Sequence, residues 1–187
     1  METLLSIFLG IGLSAACGFR VFVPLLIMNI AAAALSGHLN LVSGFEWIGT
    51  YYAFTAFFVA AGCEVASYYI PLLDNILDTI ATPAAIAAGT IATASVVGDT
   101  SPFLKWSLAI IAGGGVAGAV QSSTVVLRGT STATTAGLSN SVLATGELAS
   151  SIITPIISIA LPIVAVILIV IIVFLIFRII NKRSYSS

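Results

Sequence analysis

Four residues of this chain are of a type and in a setting that could do chemistry: Arg20, Glu64, Arg128 and Glu147. Each is a full charge set in apolar surroundings, and there are two of each sign. A charge at membrane depth costs at least roughly 2.5 kcal/mol unless it is paired or hydrated. The even balance suggests two ion pairs inside a helical bundle. Such pairs either only fix helix register, or they line an aqueous path. In the second case Glu64 or Glu147 would be a proton or cation site and an arginine would face an anionic group.

Around Arg128 the chain changes character. Gln121 to Glu147 reads QSSTVVLRGTSTATTAGLSNSVLATGE, between two strongly apolar blocks. A lipid-facing helix does not tolerate this, because each unpaired polar group in hydrocarbon costs several kcal/mol. The stretch is either a loop outside the membrane or the lining of a polar cavity. Its Ser, Thr, Ala and Gly content favours the cavity, since small residues let helices approach and hydroxyls bond across them. A helix break is expected near Gly129 or Gly137. Ser131, Thr132, Thr135 and Asn140 would then satisfy freed backbone groups or hold a polar species. Arg128 is expected to reach Glu64 or Glu147. Asp74 and Asp78 are the last candidates on a substrate or ion path. Four apart, they share one face of a short amphipathic helix, Leu72 to Ile80, opposite Leu73, Leu77 and Ile80. Like charges at that spacing repel by about 0.2–0.5 kcal/mol, so they face water, a cation or a basic partner.

The elements that position these residues are helices. The 187 residues are 59% hydrophobic and only 7% charged, with mean hydropathy +1.19, whereas a soluble domain carries about 25% charged residues. The expected fold is all-α, a polytopic transmembrane bundle in one integral membrane domain. Leu4 to Leu35 is too long for one straight span of about 20 residues. Gly18, Arg20 and Pro24 interrupt it, which predicts a hairpin of two short helices or one broken helix, against a single tilted and kinked span. Ser36 to Phe45 is a connector. Trp47 to Tyr69 is a span with aromatics (Trp47, Tyr51, Tyr52, Tyr68, Tyr69) at both ends, and Glu64 lies within it. Pro71 ends that helix. Pro83 to Gly98 and Phe103 to Val120 are further spans rich in small residues, joined by a turn at Asp99 to Pro102. Ile152 to Phe177 is the most lipid-like segment, bent by Pro155 and Pro162.

Three blocks carry a family resemblance. Arg128, Ser131, Thr132, Thr135, Gly137 and Asn140 match R-x-x-S-T-x-x-T-x-G-x-x-N. GFRVFVPLL (Gly18 to Leu26) matches G-x-R-x-x-x-P-L-L. EVASYYIPLLDNILDTIATP (Glu64 to Pro83) matches a pattern of Glu, Pro, paired Asp and Thr-Pro. In order and spacing they resemble an uncharacterised family of integral membrane proteins, domain of unknown function 4126. Ser67 stands where that family usually has Asp, and Ser141 where it usually has Pro. The resemblance implies fold and site and carries no reaction.

A weak internal repeat relates a first half, about 1–98, to a second, about 103–180. Gly10-x-Gly12 precedes the Arg20 break and Gly113-x-Gly115 precedes Gln121. Glu64-Val-Ala-Ser precedes Pro71, and Glu147-Leu-Ala-Ser precedes Pro155. Broken helices meeting at the midplane of such repeats are a recurrent transporter plan.

The net charge of −1 gives no reason to expect nucleic acid as a partner. The N-terminus lacks a basic region and a cleavage site and reads as a retained helix. Cys17 and Cys63 read as small buried hydrophobes, and His38 as a solvated connector residue. No metal-ligand cluster, nucleophile–histidine pair or nucleotide loop is visible, so an enzyme ranks last, and no cofactor or metal is expected. Two functions remain. The first is a small transporter or channel-like protein moving a small ion, an anionic solute or a lipid through a polar path lined by broken or re-entrant helices. The GFRVFVP element also has a loose likeness to Arg-bearing re-entrant segments of lipid-phosphate translocases. The second is a non-catalytic subunit or scaffold of a larger membrane complex. Its partners would be the bilayer and either copies of itself or other subunits. Arg178, Lys182 and Arg183 place the C-terminus in the cytoplasm, in a plasma (inner) membrane, with the Lys105 turn on the same side.

Overall fold

The computed structural model describes residues 2–34, 39–67, 71–98, 100–135 and 140–171, and for 2, 71–79 and 135 the backbone alone. Among them every regular element is helical: α1 (Glu2–Phe19), α2 (Phe22–Ala34), a 3-10 turn (Glu46–Gly49), α3 (Tyr51–Ser67), α4 (Pro71–Val96), α5 (Pro102–Leu108), a π-helical turn (Ala109–Gly114), α6 (Gly115–Thr135) and α7 (Asn140–Ala160). A further helix, α8 (Pro162–Ile171), follows. The fold is all-α. Two helical runs, Pro102–Thr134 and Asn140–Ala160, are long and apolar enough to cross a membrane, which points to membrane association.

The long first apolar stretch is broken, and the chain reverses at the break. α1 runs antiparallel to α4, since Gly10 lies against Thr93 and Gly89 against Ser14. It runs parallel to α6, since the Ser14 hydroxyl donates to Gly113 O and Gly18 lies against Ala117 and Val120. α2 then runs back antiparallel to α3. Its first N–H groups meet Glu64 near the end of α3, while Asn29 Nδ2 donates to Ile48 O and to Thr50 O (3.0 Å) at the beginning of α3. By Val42, whose N–H donates to Ser95 O at 2.8 Å, the chain has returned to the end of the bundle where α1 began. Phe45 and Trp106 pack at that end, with the Lys105 ammonium over both rings. The tip of this V, Arg20–Val21, sits beside Ile80 to Ala84, close to the middle of the 26-residue α4.

Close packing at the centre depends on small residues. Gly89 faces Ala117 and Ser14, and a Cβ there would come within 2.6 Å of both. Hydroxyl residues enter the core while large apolar side chains face outward. Ser14, Thr93, Ser95, Ser151 and Ser158 are buried, while Phe103, Ile111, Val142 and Ile153 face outward. The inward hydroxyls find carbonyls, as where Thr93 Oγ1 donates to Gly10 O at 3.0 Å. In hydrocarbon, where water cannot serve, this pairing is required.

Three sequence-based expectations are corrected. Leu72 to Ile80 is not a separate short helix: it is the first part of α4, which continues through Pro83 to Val96. Pro71 does open a helix, but Pro83 sits inside one, its missing N–H tolerated with the helix otherwise continuous. Of the two places where the polar stretch is expected to break, Gly129 is excluded, since α6 passes through it unbroken, and Gly137 lies outside the described residues. Hydroxyls of the stretch turn back onto their own helix, Ser122 to Gly118 O, Ser123 to Ala119 O and Thr130 to Val126 O, which satisfies them without a break. The last apolar segment begins earlier than expected, at Asn140. Its interruption falls at Leu161, before Pro162, while Pro155 stays within α7. There α8 turns back against α7, and Ile153, Ile157, Ala165 and Leu168 line a recess of about 170 Å³.

His38, Tyr68, Tyr69, Asp99, Gly137, Arg178, Lys182 and Arg183 lie outside the described residues. Cys17 and Cys63 form no disulfide; Cys17 is buried and Cys63 exposed.

Candidate functional site

The reversal after α1 leaves the first N–H groups of α2 without intrahelical partners, as at any helix start. α3 supplies the acceptor. Glu64 Oε1 accepts from Val21 N–H at 2.7 Å and Oε2 from Phe22 N–H at 3.0 Å. A carboxylate suits this place, because the helix dipole puts partial positive charge there. One residue earlier stands Arg20, 2% exposed. Its Nη2 donates to Ala144 O at 3.3 Å and lies 3.9 Å from Glu147 Oε2.

Glu147 is shared. From the other side Arg128 grips it through two parallel bonds, Nε to Oε1 at 3.0 Å and Nη2 to Oε2. This fork-on-carboxylate arrangement is the stronger kind of ion pair. Of the two carboxylates expected for Arg128, Glu147 is the partner. The result is a buried row, Arg20–Glu147–Arg128, bridging the break, α7 and α6, with Glu64 beside the same break. All four charges singled out from the sequence therefore meet around the break.

Beside them lies a cavity of about 370 Å³ between the break, α3, α4 and α6. Phe19, Val21, Phe22, Ala60, Ile80, Ala81 and Ala84 are its apolar lining, and Cys63, Glu64, Ser67, Gln121, Thr124 and Arg128 the rest. Such a mixture of apolar lining and a few polar groups is typical of small-molecule sites. Ser67, where the family usually has Asp, donates to Glu64 O at 2.7 Å.

The other expected site residues divide. Ser131 is buried on α6, one turn beyond Arg128, and Thr132 is exposed. Asn140 Nδ2 donates to Thr132 Oγ1 at 3.0 Å, which ties the start of α7 to the end of α6; neither lines the cavity. Asp74 and Asp78 fall on the opening turns of α4 and Thr135 on the last residue of α6, and their side chains lie outside the described residues. Gln121 and Thr124 were read only as part of a polar stretch, and Cys63 as core. Their signal was present: Gln121, Thr124 and Arg128, at i, i+3 and i+7, fall on one face once α6 is taken as continuous.

The sequence profile of the family described as Domain of unknown function (DUF4126) matches residues 7–182, and the chain belongs to that family. No curated protein and no solved structure matches.

Proposed function

We propose that this member of the family is a small integral membrane protein that moves an anionic solute or the anionic head of a lipid past the polar groups of the central cavity. Arg128 and Glu64 are the groups that meet the cargo. The observation that carries the reading is their joint presence in the lining of a 370 Å³ cavity whose remaining lining is largely apolar. A pathway for bare inorganic ions would be expected to be polar all round; a largely apolar lining suits a cargo with a hydrocarbon part. In this reading the V of α1 and α2 is re-entrant, reaching the bilayer midplane and bringing Arg20 there. α4, about 39 Å long at 1.5 Å per residue, spans the membrane beside it. The bilayer is the plasma (inner) membrane, and the positive charges at Arg178, Lys182 and Arg183 hold the C-terminus in the cytoplasm.

The scaffold reading is favoured by a different observation. The row Arg20–Glu147–Arg128 already pairs its charges and clamps α6, α7 and the break together. Reconstitution into liposomes separates the two. Flux of short alkyl sulfonates and alkyl phosphates above empty vesicles supports transport. Arg128→Ala is expected to abolish that flux while the protein still assembles as the wild type does by size-exclusion chromatography. Undiminished flux in Arg128→Ala removes Arg128 from the path. Absence of any flux, with co-purification of stoichiometric partner subunits, supports the scaffold.

A further inference from the structure

We infer that Gln121 is the residue by which the central cavity selects its ligand, and that the head it selects is a phosphate monoester, which offers an O–H donor beside its acceptor oxygens. The inference rests on the anion path just proposed and deepens it by naming the class of head group.

The polar groups that line the cavity differ in what they still have to offer. Glu64 accepts from the Val21 and Phe22 N–H groups. The Ser67 hydroxyl donates to Glu64 O at 2.7 Å, and the Thr124 hydroxyl to Gln121 O at 2.9 Å. Arg128 is engaged with Glu147. The Gln121 side chain is the exception. This residue is only 6% exposed and lines the cavity, yet among the described residues neither atom of its amide has a hydrogen-bond partner. Neither atom is sealed inside protein, so the surface they keep faces the cavity.

A glutamine amide carries two N–H donors on one atom and two lone pairs on the other. Buried polar groups are seldom left unpaired, because desolvation without a partner is costly. Turning the amide over exchanges its donor and acceptor ends and changes neither requirement. A ligand that pairs with both ends must itself donate and accept. Carboxylates, sulfonates and phosphate diesters only accept. The monoanion of a phosphate monoester does both: one oxygen accepts from Gln121 Nε2, and the P–O–H donates to Gln121 Oε1. No covalent bond is made or broken. The size agrees, since at about 30 Å³ for each water-sized group a volume of 370 Å³ holds roughly a dozen of them, enough for a phosphate head and a short alkyl chain. The apolar lining suits that chain.

The test compares anions that differ in the O–H and not in charge. At about pH 5, one unit below the second phosphate pKa of about 6, pentyl phosphate is largely the monoanion with one P–O–H. Methyl pentyl phosphate and pentanesulfonate carry the same charge without it. Each is titrated calorimetrically into the purified full chain in nanodiscs, with empty nanodiscs as the blank. Pentyl phosphate is expected to bind roughly tenfold more tightly than the other two, or better, because they leave the amide oxygen buried and unpaired. In Gln121→Leu the three are expected to bind within about twofold of one another, since an apolar contact does not read a hydroxyl. Without ligand, Gln121→Leu is expected to melt no lower than the wild type, because an amide with no protein partner has no hydrogen bond to lose. A Gln121→Leu protein that fails to fold, or melts well below the wild type, gives the amide a structural role and overturns the inference. Equal binding of all three anions by the wild type also overturns it, marking water as the partner of the amide and leaving the anion path standing. Failure of the wild type to bind any of the three overturns the anion path itself.

Discussion

Glu147→Ala is the substitution on which the arrangement of charges makes its sharpest claim. It deletes the carboxylate that, among the described residues, Arg20 and Arg128 share; their side chains are 2% and 14% exposed. Two guanidinium groups are then left in the bundle without that counter-charge. Breaking a buried pair from one side costs about 3–5 kcal/mol, because the remaining charge stays desolvated. At about 2–4 °C per kcal/mol for a chain of this size, the midpoint of thermal unfolding is expected to fall by about 6–20 °C. Fluorescence-detected size-exclusion after stepwise heating reads this directly. The quadruple variant Arg20→Met, Glu64→Gln, Arg128→Met, Glu147→Leu removes the charges together. It is expected to recover most of the loss, since apolar replacement of a whole buried ionic group is often neutral or stabilising. A Glu147→Ala protein melting within about 2 °C of the wild type, less than the shift expected for 1 kcal/mol, would refute the claim that these charges form one buried, mutually dependent row.

Three further outcomes follow from the packing. Gly89→Val places carbon where Ala117 and Ser14 already stand 2.6 Å from an ideal Cβ, so overpacking is expected to cost at least about 1–3 kcal/mol, read as a lower melting temperature. Asn29→Ala leaves Ile48 O and Thr50 O without the Nδ2 donor; a loss of about 1–3 kcal/mol is expected in the same assay. Under native conditions a small maleimide is expected to modify Cys63, on the cavity wall, and not Cys17, which is buried; mass spectrometry of digested protein assigns the site, and rapid labelling of Cys17 would contradict the packing of α1.

Much of this was legible in the sequence for simple reasons. Arg20 sits among Gly18 and Pro24 in a segment too long for one span, so a break was forced there, and a charge at a break needs partners. The polar stretch misled because its composition was read as if hydroxyls must look outward from their helix for partners. Ser122, Ser123 and Thr130 bond carbonyls one turn back, and once they do, nothing remains to break α6 at Gly129. Pro83 misled in the same direction. One proline removes one hydrogen bond, and tertiary packing of Ala85, Ala88 and Ala92, all buried, holds the helix together through it. The capping of α2 by Glu64 had no local signature, because the acceptor comes from 43 residues further along the chain.

Glu64 also explains why the break and the cavity belong together. A helix that starts inside a bundle exposes N–H groups that no water can serve, and each costs several kcal/mol if left unpaired. Filling that position with a fixed apolar contact would leave the cost in place, and filling it with an arginine would add a donor to donors. A carboxylate satisfies two N–H groups at once and offsets the charge of Arg20, but it also brings an ionisable oxygen to a cavity wall. The group that makes the buried start of α2 tolerable is therefore also one of the polar groups lining the cavity. Stability of the break and chemistry of the cavity cannot be varied independently at this position. Glu64→Ala is accordingly expected to lower the melting temperature, whereas Glu64→Gln, which keeps one acceptor oxygen, is expected to retain part of the cap on α2; equal melting of the two variants would contradict the capping.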